Sequence, residues 1–310
     1  GILNSLGSLV FDTVINTEGN FLNIHNVNST LHISYNLNPF PGYHFFYDFQ
    51  FDTNFVFING TSIWDGSLQK SKLIDDSTIL YIAYEPPGSS SFYEVVIYKQ
   101  NIINSTVYGR YVISSLNPIE VYDIVSPIKG FYHLYTNSPD SLIPNQVSVH
   151  YLDDSLRVYK NRQLVSSYSQ FTTNSRVIGP VSAEFYNNSI VLNGVVEHPT
   201  YQNQFLNKDL ALIRYDTNYN ELNLSFSGKT DTNYTTSRNS VSVSTNKIIG
   251  AGNTDIGIPN FEEIIINEYD LSGNLSRSVE YTDGNKLELR KVLQLSNNQL
   301  LIIGSTGNQF

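Results

Sequence analysis

The 310-residue chain contains no cysteine and no methionine. Without thiols there is no disulfide, no thiolate nucleophile and no Cys-based metal centre, so packing and hydrogen bonds alone must hold the fold. Charge is sparse too: charged residues are 15% of the chain, against roughly 25% in typical soluble domains. The 18 Lys and Arg form no basic run and the formal charge is −10, which argues against nucleic acid or anionic lipid as a partner. No apolar run approaches the about eighteen residues of a membrane-spanning helix, and helical periodicity is nearly absent.

In place of charge there are 36 Asn and 22 Tyr, so solubility rests on amides and hydroxyls. Acid would then remove few stabilising ion pairs, while the thermolabile Asn argues against heat at neutral pH. Gly1 stands where an initiator would, as expected after removal of a leader or as an expression scar. Seven Asn-x-Ser/Thr sequons occur, at Asn28, Asn59, Asn104, Asn187, Asn223, Asn233 and Asn274. Composition alone produces roughly six, so they are glycosylation candidates and no more. These features point to an extracellular or cell-surface protein.

An apolar strand recurs six times: Leu31–Tyr35, Ile79–Ala83, Phe131–Tyr135, Ile190–Gly194, Ile248–Gly252 and Leu300–Gly304. A second strand follows it, clearest at Asp209–Asp216 and Glu263–Asp270, with earlier copies at Glu94–Tyr98, Leu156–Tyr159 and His44–Tyr47. A turn and a weaker strand come next (Glu221–Phe226, Asn274–Val279), and a short strand precedes the apolar one (Ser240–Ser244, Leu289–Leu295). A β-repeat of about fifty residues is the size of a propeller blade. A lone four-stranded sheet cannot cover its own two faces, and radial neighbours can. Gly194, Gly252 and Gly304 fit crowded strands.

The expected fold is all-β, a six-bladed β-propeller of four-stranded antiparallel blades, with one irregular blade or a seventh allowed by the degenerate first half. It spans 1–310 as one domain, with repeats near 21–67, 68–110, 111–170, 171–230, 231–285 and 286–310. The last repeat ends before its outer pair, so a strand within residues 1–20 (Ser8–Ile15) is expected to close that blade. The apolar strand ending in small residues, followed by a Tyr-Asp turn strand, resembles the kelch-like and NHL-like propeller repeats of secreted bacterial and archaeal proteins. That resemblance implies fold and no reaction.

No catalytic, cofactor or metal constellation stands out. His25, His32, His44, His133, His150 and His198 never form an i, i+4 pair. Asp216 and Asp270 read as turn-formers, whereas Asp75-Asp76 and Asp153-Asp154 read as solvated loop residues. Asp231-Thr-Asn233 and Asn253-Thr-Asp255 offer oxygen ligands for Ca²⁺ but lack a full calcium loop. Trp64 precedes Asp65-Gly66, the reverse of the sialidase Asp-box order, and reads as part of a hairpin. The aromatic stretches Phe40–Tyr47 and Tyr84–Gly88 suit core packing or a stacking platform. The expectation is a non-catalytic scaffold that binds surface glycans or envelope proteins or assembles with copies of itself into a layer or filament. The alternative is a carbohydrate-active or lactone hydrolase with axial carboxylates.

Overall fold

The computed structural model describes residues 2–3, 9–11, 20–27, 30–40, 43–52, 57–63, 67–75, 77–85, 92–101, 106–137, 146–166, 175–199, 206–227, 239–255, 262–281, 286–294 and 299–307. Among them there is no helix. The chain opens with β1 (Ile2–Leu3) and β2 (Leu9–Phe11), and a first sheet is built from β3 (Asn20–Val27), β4 (Thr30–Phe40), β5 (Tyr43–Asp52) and β6 (Phe57–Ile63). The second contains β7 (Ser67–Asp75), β8 (Thr78–Glu85), β9 (Tyr93–Asn101) and β10 (Val107–Ser115); the third β11 (Val121–Ile128), β12 (Phe131–Asn137), β13 (Val147–Leu152) and β14 (Val158–Gln163). A fourth holds β15 (Val165–Ser166), β16 (Ser175–Tyr186), β17 (Ser189–Pro199), β18 (Leu206–Asp216) and β19 (Glu221–Ser227). The fifth is β20 (Asn239–Val243), β21 (Ile248–Asp255), β22 (Glu262–Tyr269) and β23 (Leu275–Tyr281). The last runs β2-β1-β25-β24, with β24 (Lys286–Gln294) and β25 (Leu300–Gly307).

This is an all-β, β-propeller arrangement of successive antiparallel sheets. The six recurrent apolar strands are the second strands β4, β8, β12, β17, β21 and β25. Both chain ends share the last sheet, as the short final repeat required, but two N-terminal strands contribute. Ile2 and Leu3 pair with Leu301 and Leu300, and Leu9 and Phe11 then pair with β1. Both outer positions of the last sheet are therefore occupied.

Two other expectations are corrected. The fourth sheet has five strands, because β15 adds to β16. Leu156–Tyr159 is not the third strand of its repeat: β13 takes that place, and Leu156 sits in the following turn at φ 59°. Ser148 and His150 break up the apolar signal of β13, which concealed it.

Two compact units divide the chain, residues 1–14, 145–148 and 162–310 in one and 15–144 and 149–161 in the other. Within each, one sheet lays a face on the next. In the larger unit Val191 and Leu212 pack with Val241, Ile248 and Tyr269; Ile264 and Ile266 of the fifth sheet pack with Leu289, Val292 and Leu300. In the other, Leu80, Ile82, Val95 and Ile97 meet Ile119, Val121, Ile124, Tyr132 and Leu134. Each such side chain contributes about 1.5–3 kcal/mol on burial.

Polar side chains cross the same interfaces. Ser182 Oγ accepts from the Val241 N–H (3.2 Å), Ser240 Oγ from Val292 (3.0 Å) and Ser242 Oγ from Gln294 (3.2 Å). Serines of one inner strand thus satisfy backbone donors of the next, as buried amides require. Buried Asn193 on β17 donates to Ala251 O (3.0 Å) and Ser240 O (3.3 Å), and Asn239 donates to Pro180 O (2.7 Å). Gly250 permits this approach, since a Cβ there would lie 2.8 Å from Asn193 Oδ1; at Gly194 a Cβ would lie 2.7 Å from Val181 Cγ1 on neighbouring β16 of its own sheet. Gly304 is exposed, so the crowding expected there is absent.

Asn193→Ala is expected to cost about 2–3 kcal/mol, because buried carbonyls lose their donor. Thr245 is exposed in the turn between β20 and β21, so Thr245→Ala serves as the comparison, expected within about 0.5 kcal/mol of wild type. Urea unfolding of the two variants beside wild type checks this.

Candidate functional site

In the third, fourth and fifth sheets the connections at one end are tight turns, and at the other they span 138–146, 200–205 and 256–261. The tight ends use one device three times. Asp153, Asp216 and Asp270 each exchange backbone hydrogen bonds around a five-residue turn, closing on Arg157, Asn220 and Asn274. In each, the carboxylate accepts the closing residue's N–H at 2.8–2.9 Å. The residue three after each Asp has positive φ: Leu156 59°, Tyr219 61° and Gly273 94°. Asp216 and Asp270 are the turn-formers the sequence indicated. Asp153 is a third, where a solvated loop was expected.

A cation from the preceding strands grips each turn. Lys99 Nζ donates to Asp154 Oδ1 (2.7 Å), Arg162 to Asn218 O (2.7 Å) and Arg214 to Ser272 O (3.0 Å), at sequence separations of 55, 56 and 58. The separations match the repeat, so clamp and turn recur together. The Lys99 hydrogen bond holds the Asp154 carboxyl below its ordinary value, and the amides of Asn274 do the same for Asp270. At Asp216 burial pushes upward, but the N–H groups of Asn220 and Asn218 prevail and lower it. These carboxylates are structural acceptors held ionised, unlike the raised carboxyl a general acid needs.

Among the described residues one carboxylate is fully buried. Asp123 on β11 lies 3.9 Å from Lys70 Nζ and 4.0 Å from Lys72 Nζ on β7, and accepts the Ile124 N–H at 2.9 Å. A β-bulge displaces the register just before Lys70 on β7 and just before Asp123 on β11, which re-aims the side chains there. Lys291 follows a similar bulge on β24. Two ammoniums thus stand within 4.0 Å of one buried carboxylate and pair its charge. Among the described residues no cluster of three His, Asp or Glu is placed to hold a metal. Asn253, one of the possible calcium ligands, instead accepts the Leu289 N–H at 2.5 Å, whereas Asp231 and Asn233 lie outside the described residues. The register sets His25 opposite His32, a pairing the sequence spacing did not reveal.

The exposed feature with most chemical character is an aromatic row on sheet β11–β14. His133 meets Tyr151 edge-on at 4.6 Å, Tyr151 lies 6.1 Å from Tyr159, and Phe131 meets Tyr159 edge-on at 6.3 Å. Lys160 Nζ stands 5.0 Å over the Tyr151 ring. Phe131 and Tyr159 are 44% and 58% exposed, while Tyr151 and His133 anchor the row inside. Sequence reading missed it because the rings come from three strands. A second half-exposed pair, Tyr84 stacked on Tyr93 at 5.7 Å, lies where the Tyr84 stretch suggested a platform. The side chains of Phe40–Tyr47, and Trp64, lie outside what is described.

Of the sequons, Asn187 is exposed in the β16–β17 turn at φ 47°. Asn223 and Asn274 use their amide nitrogens within the fold, on Ser272 O (2.6 Å) and Asp270 Oδ2 (2.9 Å). Asn59 is described in backbone only; Asn28, Asn104 and Asn233 lie outside the described residues.

No protein-family model matches the chain, and no curated protein does. Among solved structures it is similar to Pyrococcus horikoshii acylaminoacyl peptidase (TM-score 0.50, 9% identity, 92% of this chain and 43% of that one). An acylaminoacyl peptidase in complex with Z-Gly-Gly-Phe-chloromethyl ketone gives TM-score 0.50 at 10% identity, again over 92% and 43%. The β-propeller domain of the trilobed protease from Pyrococcus furiosus, described as having an open velcro topology, gives 0.49 at 8%, over 96% and 80%. The chain spans less than half the length of the peptidases, and identities this low carry fold alone.

Two histidines make stability depend on acid. Burial, with Lys160 adding, pushes His133 down to about 4, and burial alone takes His150 to about 4, its Nε2 lying 3.0 Å from Thr136 Oγ1. Both stay neutral in the fold while the unfolded chain protonates near pH 6.5, so stability is full above that pH and falls towards pH 4. Urea unfolding at pH 7 and pH 4.5 should show a loss of about 2 kcal/mol per histidine. His133→Gln and His150→Gln should each flatten the profile; an unchanged slope in both contradicts the assignment.

Proposed function

We propose that the chain is a six-bladed propeller acting outside the cell as a non-catalytic binding scaffold, and that its aromatic row meets a glycan. The six sheets, the last shared by both chain ends, support six-fold closure. The observation that carries the binding reading is the exposed Phe131 and Tyr159 pair, backed by Tyr151 and Lys160. Aromatic faces stack on the C–H faces of sugar rings, and an ammonium beside them donates to hydroxyls. Because Phe131 and Tyr159 are held edge to face by neighbours, little side-chain entropy is lost on binding.

The turn carboxylates support a non-catalytic role, since Asp153, Asp216 and Asp270 are spent on backbone amides and Asp123 lies beneath two lysines. An extracellular setting rests on composition and on Asn187, a sequon in an exposed turn.

Calorimetric titration with neutral oligosaccharides tests the reading. Phe131→Ala and Tyr159→Ala should each weaken binding about tenfold, the loss of roughly 1.4 kcal/mol expected for a stacking ring. Unchanged affinity in both variants, or cleavage of the sugar by the wild-type chain, would overturn it.

A further inference from the structure

The aromatic row of the third sheet carries a cation that no turn or carboxylate of the fold takes up. Elsewhere Lys70 and Lys72 lie against Asp123, Lys247 pairs with Glu268 at 3.4 Å, and Lys99, Arg162 and Arg214 grip turns. Lys160 is exposed and, among the described residues, enters no ion pair. Its Nζ stands 5.0 Å over the Tyr151 ring, and the same ring is the neighbour of Tyr159, 6.1 Å away. Tyr159 and Lys160 are consecutive in β14, so an exposed ring and a cation held by a ring face stand together. Such a face attracts an ammonium by its charge and leaves most of its N–H donors to solvent.

The row itself, Phe131, His133, Tyr151 and Tyr159, contributes no carboxylate. After burial, the influence that keeps His133 neutral is the Lys160 ammonium. In a chain of formal charge −10 the row is thus an apolar surface with a local positive field. A phosphate backbone needs a stripe of cations, whereas one acidic sugar needs a single cation.

Ring contact and charge together define a ligand. A neutral sugar meets Phe131 and Tyr159 with its C–H face but leaves the ammonium to water. A hexuronate offers the same C–H face and carries a carboxylate at the edge of its ring, so one sugar residue meets both demands. We propose that the aromatic row binds acidic glycans, a uronate ring lying against Phe131 and Tyr159 while its carboxylate accepts from Lys160 Nζ. This rests on the glycan reading and narrows it to a class of sugar. Because Lys160 is exposed, the preference for an acidic over a neutral ring is modest, about threefold to fivefold.

The test is calorimetric titration with trigalacturonate and with its fully methyl-esterified form, which share rings and linkages and differ in charge. Wild type should bind the acid about threefold to fivefold more tightly than the ester. Lys160→Gln should bring the two affinities together and leave that for the ester nearly unchanged, Lys160→Arg should keep the preference, and Phe131→Ala should weaken both ligands alike. The wild-type comparison does not depend on the folding of any variant. An ester bound as tightly as the acid, or a preference for the acid that survives Lys160→Gln, overturns the uronate assignment and leaves the glycan reading standing. If neither form binds and the neutral oligosaccharides do not either, the glycan reading falls and the uronate assignment falls with it.

Discussion

The structure depends on one constraint: a four-stranded antiparallel sheet has two faces and too little thickness to keep either dry. Within each unit a sheet lays a face on the next, as Val191 and Leu212 do on Val241 and Ile248, and as Leu80 and Ile97 do on Ile124 and Leu134. With no cysteine in the chain, these apolar layers and the hydrogen bonds crossing them bear the whole load. The innermost strands β20 and β24 are edges of their sheets and leave amides without ladder partners, and Ser182, Ser240, Ser242 and Asn253 accept from them. A polar, charge-poor composition is what such a seam needs, because Ser and Asn satisfy a buried amide without the desolvation cost of an ion.

The two ends of the third, fourth and fifth sheets do different work. Their tight ends are fixed by an Asp turn and a gripping Lys or Arg, which removes those carboxylates from reactive chemistry. The opposite ends carry the longer connections, where sequence can vary without disturbing the interfaces. The aromatic row lies on neither seam. Its inner members pack and its outer members face solvent, the division of labour expected of a preorganised contact surface.

Much of the fold was legible in the sequence. The second strands β8, β17 and β21 announce themselves as apolar runs because both their faces are buried, and the Tyr-Asp turns at Asp216 and Asp270 because the motif is local. The shared last sheet followed from counting strands in the final repeat. The third strand β13 was not legible, since Ser148 and His150 dilute its apolar signal, nor was β15, which is two residues long. The Arg162 and Arg214 clamps, the Asp123 cluster and the aromatic row were hidden for another reason. Each joins residues from separate strands, and only register and stacking bring them together. His133 and His150 show the consequence: charge-poor composition suggested indifference to acid, yet burial of two neutral imidazoles makes stability fall with pH.

Residue-resolved amide hydrogen exchange bears most directly on the mutual burial of successive sheets. The amides of Val241, Val292 and Gln294, each bonded to a serine of the neighbouring sheet, should exchange only with global unfolding and with one common free energy. If they exchange as fast as the exposed amides of β23, the sheets do not depend on one another for their stability.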